Sequence, residues 1–466
     1  MAGLWVGSAH KQGVPLVTTN RSSGNLEARS AVSRVIGESA PSPSLDRAMA
    51  TPDLASATSP TSLTNALAPE GPTTHPAASA PPTPSPSSAP LRALPHTESA
   101  SAGLRGAAIA QSAIQADPAF AGAWIDGADT LHLSTAGSPD SLLAIAERSP
   151  VRAVVEIFPS TRARLLEVRN DIASRAYPLA GEGISLVAIG LIERSNAVRV
   201  TASVSDWSAV ERLRASYPDV KIEVLELLDG STASRGTPRD NAAMGYHGGA
   251  IITPVHRPGY RCVVGVGVRT NRGPAVLTAG HCGAVGEGFE LGHGTTAPLG
   301  VLERKVADGA NGVRWPDLNV QSVDAALITA ANEIGTMMFD DRVMSVSGHQ
   351  ADALAGQLVY ASLGRSGVSA PGRITETHVI VIGTADGFMP TTVANFGISH
   401  CVNPGDSGSP VGIPDGVSSV LVAGIMVAVP DAQCSGDALS PEHPSEAYVA
   451  SIEPALRSLE ATLITG

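Results

Sequence analysis

The chain has 466 residues, enough for about three domains, and its 31 Lys and Arg against 43 Asp and Glu leave a net charge of −12. Only 16% of the residues are charged, and the 48 Gly and 35 Pro favour strands and turns over long surface helices. The acidic balance argues against nucleic-acid binding, which depends on clustered Lys and Arg, and the longest apolar stretch, 420–429, is far shorter than the ~20 residues that cross a bilayer.

Residues 1–105 are predicted to form a disordered segment. Residues from about 40 to 102 are mainly Pro, Ser, Ala and Thr, with no aromatic residue and neither strand nor helix periodicity. Such a stretch cannot bury enough apolar area to offset the entropy lost on ordering, so we interpret it as a tether or spacer. The first 22 residues also lack the apolar core of about 7 to 15 residues that a secretory signal needs.

Residues 106–228 are predicted to form an α+β domain. Ser160 or Thr161 is expected to cap one helix, and Asp206 to cap another. The predicted elements are, in chain order, a helix at 107–114, a strand at 152–158, a helix after 161, strands at 184–193 and 197–204, a helix at 207–213 and a strand at 220–227. From residue 152 the order is β-α-β-β-α-β, the split βαβ arrangement of ferredoxin-like domains, which does not by itself indicate a function.

A polar stretch at 229–244 is rich in turn residues, and we interpret it as a linker and a cleavage region. Between 245 and 466, short apolar runs are interrupted by Gly, Pro and Asn. This pattern predicts an antiparallel barrel or sandwich of short strands. Only the tail, 451–463, has the pattern of a helix.

Three motifs of this C-terminal region carry residues suited to nucleophilic catalysis. Thr278–Cys282 (TAGHC) follows an apolar strand, Asp324 precedes another, and Asn403–Pro410 (NPGDSGSP) follows Cys401. A serine hydroxyl is a poor nucleophile until a histidine takes its proton, and the histidine needs a carboxylate to hold its tautomer. Together the motifs resemble the chymotrypsin-like serine proteases, most closely the bacterial streptogrisin and α-lytic type, over roughly 248–466.

The resemblance implies a fold of two six-stranded antiparallel barrels and a triad of His281, Asp324 and Ser407, in the order that this family uses. It also implies that the backbone N–H groups of Gly405 and Ser407 form the oxyanion hole, on a turn that glycines allow to be tight. Asp317 is the rival for the acidic member, although no apolar strand follows it at once.

The four cysteines include no C-x-x-C spacing, so two disulfides in an oxidising compartment are favoured over zinc ribbons or redox motifs. Four cysteines allow three pairings, and buried free thiols are a further alternative. The resemblance implies the pairs Cys262 with Cys282 and Cys401 with Cys434, which would staple both catalytic loops.

Asp406 is expected from the resemblance to be buried beside the nucleophile. A buried carboxylate needs a cationic or N–H partner, because leaving it unpaired is costly. Arg365 lies in a stretch that resembles one of the streptogrisin motifs and is the candidate partner. The alternative for Arg365 is a solvated surface arginine.

The substrate pocket departs from the family pattern. Where streptogrisins present a polar Ser-Gly-Gly edge strand, this chain reads Gly424–Pro430 (GIMVAVP), so that side chains replace glycines there. Val427 in place of the serine would remove one hydrogen bond to the triad acid, and Ala428 beside it would narrow the primary pocket. Ser399 and His400 are further candidates to line that pocket. A register slip of one residue is the alternative to this alignment.

Residues 106–228 lie where the streptogrisin and α-lytic enzymes carry a pro-region. The segments 120–126 and 193–198 resemble parts of such a pro-region. A double barrel with non-local contacts folds slowly, which gives a physical reason for an attached folding helper. A separate α/β binding module is the alternative.

We therefore expect a secreted serine endopeptidase that is made as a zymogen and acts on polypeptides through an acyl-enzyme. We expect it to be a monomer with its own pro-region as a partner, and to use no cofactor or metal. An esterase with the same triad and a catalytically weak trypsin-like binding scaffold are the alternatives. The altered edge strand favours the scaffold, whereas the intact triad argues against it.

Overall fold

The structure, a computed structural model, describes residues 97–227, 247–292, 297–306, 323–339, 342–350, 352–366, 371–382, 396–400, 402–428 and 447–466. All of these residues belong to one of the two units into which the chain divides. Among them, no helix has the length and apolar character needed to cross a membrane.

The helices are α1 Thr97–Ala116, α2 Asp140–Ala146, α3 Arg162–Ser174, α4 Ala176–Gly181, α5 Trp207–Ala215 and α6 Ile452–Ser458. The strands are β1 Phe120–Ile125, β2 Leu131–Thr135, β3 Ala153–Ile157, β4 Ile184–Ile192, β5 Ala197–Val204, β6 Lys221–Glu226, β7 Ile251–Pro254, β8 Cys262–Val263, β9 Gly267–Thr270, β10 Gly273–Thr278, β11 Gly288–Leu291, β12 Ala297–Val306, β13 Ala325–Thr329, β14 Thr336–Phe339, β15 Arg342–His349, β16 Leu358–Ala361, β17 Pro371–Val381, β18 Phe396–Ile398, β19 Pro410–Pro414, β20 Ser419–Ala428, β21 Ala447–Ser451 and β22 Thr462–Leu463.

Helix α1 begins at Thr97, so the prediction of disorder up to residue 105 is wrong for its last residues. Ala100 and Ala113 of this helix are fully buried. Gly103 lies so close to the second barrel that a Cβ there would be 2.8 Å from Cγ of Gln357. Tertiary packing therefore extends the helix over residues 97–106, where Ser and Gly weaken the helix signal of the sequence.

Two predicted helix caps are confirmed. The Thr161 hydroxyl accepts a hydrogen bond from the Arg164 N–H at 3.1 Å, and the Asp206 carboxylate accepts one from the Ser208 N–H at 2.9 Å. Each cap satisfies a backbone donor that has no partner within the helix, which is why helices α3 and α5 begin at these positions.

The ferredoxin-like arrangement of residues 106–228 is not confirmed. In that arrangement the first of the four predicted strands lies between the last two. Here β3 instead pairs parallel with β2, in a separate sheet of order β1-β2-β3, while β5 and β6 pair directly with each other. The hairpin β1–β2 offers β3 an edge with apolar partners, such as Leu133 opposite Val155, which explains the different pairing.

The first sheet of the C-terminal region is antiparallel and runs in the order β22-β9-β10-β13-β12-β11-β7-β8. Strands β8 and β9, near its opposite ends, are parts of one segment, so the sheet curves toward itself as a half-barrel. Between them, the Gly265 N–H donates to the Leu277 carbonyl at 2.7 Å, and the Leu277 N–H donates to the Val266 carbonyl at 2.8 Å.

The second barrel closes fully. Its six antiparallel strands pair around the ring β16-β17-β18-β21-β20-β19 and back to β16. A closed six-stranded barrel with a half-barrel is consistent with a chymotrypsin-like double barrel. The prediction of six strands in a closed ring is thus confirmed for the second barrel, whereas the first sheet has eight strands, because residues 264–266 separate β8 from β9 and the C-terminal strand β22 adds to β9.

Strand β17 also joins the second barrel to the sheet of residues 184–226. It pairs antiparallel with β4, with Thr377 opposite Leu191 and Ile380 opposite Ile189. Strands β4, β5 and β6 therefore continue the sheet of the second barrel. The buried side chains of Ile380 and Ile382 belong to the hydrophobic core that α3, α5 and these three strands enclose.

Candidate active site

His281 lies in a short 3₁₀ turn that directly follows β10. The next residue, Cys282, forms a disulfide with Cys262 of β8, as predicted. A ring nitrogen of His281 lies within 4.8 Å of both sulfur atoms of this disulfide. The bridge therefore ties the histidine turn to β8, and the His281 side chain remains 34% exposed.

Asp324 lies at the start of β13, which pairs antiparallel with β10 and so brings its first residues beside the histidine turn. Its carboxylate accepts a hydrogen bond from the His281 N–H at 2.8 Å and another from Nδ1 of the same histidine. Asp324 is only 5% exposed. With the proton on Nδ1, Nε2 is the unprotonated nitrogen, which is the one able to take a proton from a nucleophile.

Ser407 lies in the turn 403–409 between β18 and β19. Gly405 and Gly408 adopt φ values of +101° and +90°, which favour glycine. A Cβ on Gly408 would stand 2.3 Å from the Thr278 hydroxyl, so the turn lies directly against the strand that leads to His281. The Ser407 carbonyl also accepts from the Val263 N–H at 2.8 Å, next to the disulfide. The Ser407 and His281 turns are thus held against the same bridge.

Two backbone donors of this turn make no hydrogen bond within the described parts of the chain. These are the N–H groups of Gly405 and Ser407, whereas the neighbouring Asp406 and Gly408 N–H groups donate to the carbonyls of Asn403 and Met426 at 3.0 and 2.8 Å. A pair of unused N–H groups beside a serine is the arrangement that can stabilise a developing oxyanion.

Asp406 is fully buried and is held by hydrogen bonds from three residues. Oδ1 accepts from the N–H groups of Arg365 and Ser366 at 2.7 and 3.1 Å, and Oδ2 accepts from the Ser366 hydroxyl and from the Asn403 N–H at 2.9 Å. The Arg365 guanidinium instead donates to the Pro404 carbonyl at 2.6 Å. Arg365 is therefore a partner of Asp406 through its backbone, and the prediction missed Ser366 and Asn403.

The chain is structurally similar to bacterial chymotrypsin-like serine proteases. A Nocardiopsis protease is 24% identical, with 47% of this chain and 99% of that chain covered, at a TM-score of 0.34. Thermobifida fusca protease A is 22% identical, with 47% and 100% covered, at a TM-score of 0.34, and Cellulomonas bogoriensis chymotrypsin is 21% identical, with the same coverage, at 0.33. No family model and no curated protein matches the chain.

The residues expected in the primary pocket are buried, so far as the structure describes them. Ser399 is fully buried, and its hydroxyl accepts from the Arg373 N–H of β17 at 2.8 Å. His400 lies against β17, where a Cβ on Gly372 would be 2.4 Å from its Nδ1. Val427 is buried at an irregularity in the pairing of β20 with β21. Their role in a pocket stays a prediction, as does that of Ala428, which ends β20.

Several predicted residues lie outside the described parts of the chain. They include Cys401 and Cys434, whose disulfide stays a prediction, and Asp317, the rival acidic residue.

An open groove lies beside His281 on the first sheet. Its walls are the segments 256–257 and 283–287. The Arg257 guanidinium donates to the Glu287 carboxylate at 2.8 and 3.0 Å and to the Cys282 carbonyl at 3.2 Å, and it lies 4.7 Å from the ring centre of Tyr260. The hydrogen bonds from Arg257 hold the pKa of Glu287 below its usual value. This ion pair therefore links the segment before β8 to the segment that follows the histidine turn.

Proposed function

We propose that the protein is a secreted serine endopeptidase, made as a zymogen, that hydrolyses peptide bonds through an acyl-enzyme with His281, Asp324 and Ser407. The observation that carries the proposal is the binding of His281 by Asp324 beside the turn that presents Ser407. This arrangement provides a nucleophile, a base of defined tautomer and a buried carboxylate that orients the base.

In the proposed reaction the Ser407 hydroxyl attacks the carbonyl carbon of the scissile peptide bond, and its proton passes to Nε2 of His281. Asp324 stabilises the resulting imidazolium, and the N–H groups of Gly405 and Ser407 bind the oxyanion. The C–N bond then breaks, and the amine leaves with the proton from Nε2. Water attacks the acyl-enzyme by the same route, which releases the carboxylic acid product and restores Ser407.

Residues 106–228 are the proposed pro-region, joined to the protease through the linker 229–244. Their contact with the second barrel through β4 and β17 supports this role, because a front half that continues the sheet of the barrel can help that barrel to form. The disulfide between Cys262 and Cys282 supports secretion, since disulfides persist in oxidising compartments.

Labelling with a fluorophosphonate probe tests the proposed nucleophile. We expect the probe to label the mature form of the unsubstituted protein. Ser407→Ala should lose the label, whereas the control Ser347→Ala, which changes an exposed serine, should retain it. Assays with matched peptide and ester substrates then separate an endopeptidase from an esterase. A protein that takes no label in its mature form would support the binding scaffold instead.

A further inference from the structure

Strand β17 presents a polar surface to the front half of the chain. Its residues Glu376, Thr377 and His378 are called the β17 junction here. The junction lies where β17 pairs with β4, and next to it the Ile382 N–H donates to the Val187 carbonyl at 2.7 Å. Residues 97–227, called the front half, cover this surface and are its occupant in the structure.

The front half meets the β17 junction with charged side chains. Glu376 is fully buried, and its carboxylate accepts from the Arg199 guanidinium at 3.1 Å; Arg199 also donates to Glu223 at 3.1 Å. On the neighbouring residue, the Thr377 hydroxyl donates to the buried Glu193 carboxylate at 2.9 Å, which also accepts from the Ala123 N–H at 2.7 Å. Each acidic group therefore has a donor across the contact.

His378 faces two arginines of the front half. The Arg162 guanidinium donates to Nε2 of the imidazole, and the Arg169 guanidinium donates to the His378 carbonyl. Burial lowers the pKa of His378 well below its usual value near 6.5, and the charges of Arg162 and Arg169 lower it further. Burial, together with the charge of Arg162, also lowers the pKa of Arg169 to about 10.

The remaining charged groups of this contact are already engaged. They are Glu376 on β17 itself, Glu193 after β4, Arg199 on β5 and Glu223 on β6. Glu193 also lies 3.8 Å from Nε of Arg162 and so offsets part of the charge of that arginine. Strands β4, β16 and β18, which pair with β17, carry no charged side chain. A proton on His378 would therefore add a third positive charge beside two half-buried guanidinium groups.

We propose that the β17 junction is an acid-labile docking surface for the front half, which binds firmly at neutral pH and opens in acid. This inference rests on the proposed zymogen function, because a fall in pH would then trigger the separation of the pro-region from the protease. The neutral imidazole accepts the Arg162 hydrogen bond, whereas the imidazolium has no acceptor to offer and repels both arginines.

The direction of the pH dependence follows from the two states of His378. In the open state its pKa is near the usual value of about 6.5, and in the docked state it is lower, so the open state binds more protons. Docking is therefore at full strength above about pH 6.5 and weakens as the pH falls below that value. Between pH 7.5 and 5.0, a single group with these properties changes the docking equilibrium by up to about 30-fold.

Amide hydrogen exchange of the full chain carrying Ser407→Ala tests the proposal without self-cleavage. With intrinsic rates corrected for pH, we expect the Ile382 amide to lose up to about 30-fold protection between pH 7.5 and 5.0. The Leu277 amide of the first sheet serves as the internal reference. His378→Gln should abolish the pH-dependent loss at Ile382, whereas His349→Gln, at an exposed histidine, should retain it.

Equal protection of Ile382 at both pH values, or a loss that His378→Gln retains, would overturn the proposal. Exchange at the imidazole Cε1, followed by mass spectrometry, gives the pKa of His378 without a variant, and a value at or above about 6.5 would also overturn it. Neither measurement depends on catalysis. A failed fluorophosphonate experiment would thus refute the proposed function and leave the exchange result to be judged separately.

Discussion

Asp324 binds His281 through both of its carboxylate oxygens, one to the backbone N–H and one to the ring. The backbone contact positions the carboxylate relative to the turn, and the ring contact selects the tautomer with Nε2 unprotonated. The two roles are therefore separable, since an amide in place of the carboxylate would keep the first contact and disturb the second.

Substitution of the triad should follow this division of roles. We expect Ser407→Ala or His281→Ala to lower kcat by about 10⁶, and Asp324→Asn by roughly 10⁴ because the asparagine favours the wrong tautomer. Turnover of a chromogenic peptide by the processed enzyme measures the effect, with thermal unfolding as a check on folding. Full activity in Asp324→Asn, with a loss in Asp317→Asn, would assign the acidic role to Asp317.

The hydrogen bonds that hold the buried Asp406 carboxylate also act at the scale of single residues. We expect Ser366→Ala to destabilise the protein by roughly 1.5–3 kcal/mol, because it removes a hydroxyl donor from a buried carboxylate. Denaturant unfolding in the Ser407→Ala background measures this loss. Ser347→Ala is the matched control, because the Ser347 hydroxyl donates at 2.8 Å to the exposed Asp415. If Ser347→Ala lowers the free energy of unfolding as much as Ser366→Ala does, the argument from burial is wrong.

Among the elements, β5 and β17 are linked by an ion pair that joins the front half to the second barrel. The side chains of Arg199 and Glu376 are 12% and 0% exposed. Taking the two charges out of water is costly, so the pair is weak grounds for stability, but each partner depends strongly on the other. The pair thus makes the contact specific to a front half that carries the arginine.

We expect Arg199→Ala to destabilise the full chain by about 3–5 kcal/mol, because it leaves Glu376 buried without a counter-charge. Adding Glu376→Gln should recover part of this loss, and denaturant unfolding in the Ser407→Ala background measures both. Arg212→Ala removes an exposed ion pair with Asp206 at 3.6 Å and should cost no more than about 1 kcal/mol. Equal effects of the two arginine substitutions would show that burial of the pair does not matter.

At the scale of the whole molecule, the front half covers surface that the second barrel would otherwise expose. Ile380 and Ile382 pack into the core of the front half, and one edge of β17 pairs with β4. A barrel that must form without these contacts exposes apolar side chains and an unpaired strand edge while its distant strands find one another.

A chain that begins near Met244 should therefore collapse to an inactive state, and addition of residues 97–227 as a separate chain should restore peptidase activity. Recovery of activity after dilution from denaturant, with and without the added chain, measures the effect. The added chain carrying Arg199→Ala is the matched control and should restore less activity. If the protease region alone refolds promptly to full activity, residues 106–228 are an independent binding module.

Local signals in the sequence were sufficient for the motifs and the helix caps. The turn with Gly405 and Gly408 and the cap at Thr161 depend on residues within a few positions, so both can be predicted from the local sequence. The disulfide between Cys262 and Cys282 came from resemblance rather than from spacing, and the structure forms it. By itself, the sequence thus determined which residues are suited to catalysis and where most helices and strands of residues 152–227 lie.

Only the tertiary structure decided how the strands are partnered. Strand β3 joins β2, and Thr377 pairs with Leu191 far away in the chain, because the free energy of pairing depends on which edges and apolar faces meet in space. The same holds for α1, which begins early because the second barrel covers it, and for Asp406, whose donors Arg365 and Ser366 come from a loop far away in the chain. Long-range contacts of this kind leave no periodic trace along the chain, and so the surface that binds the front half is a property of the fold.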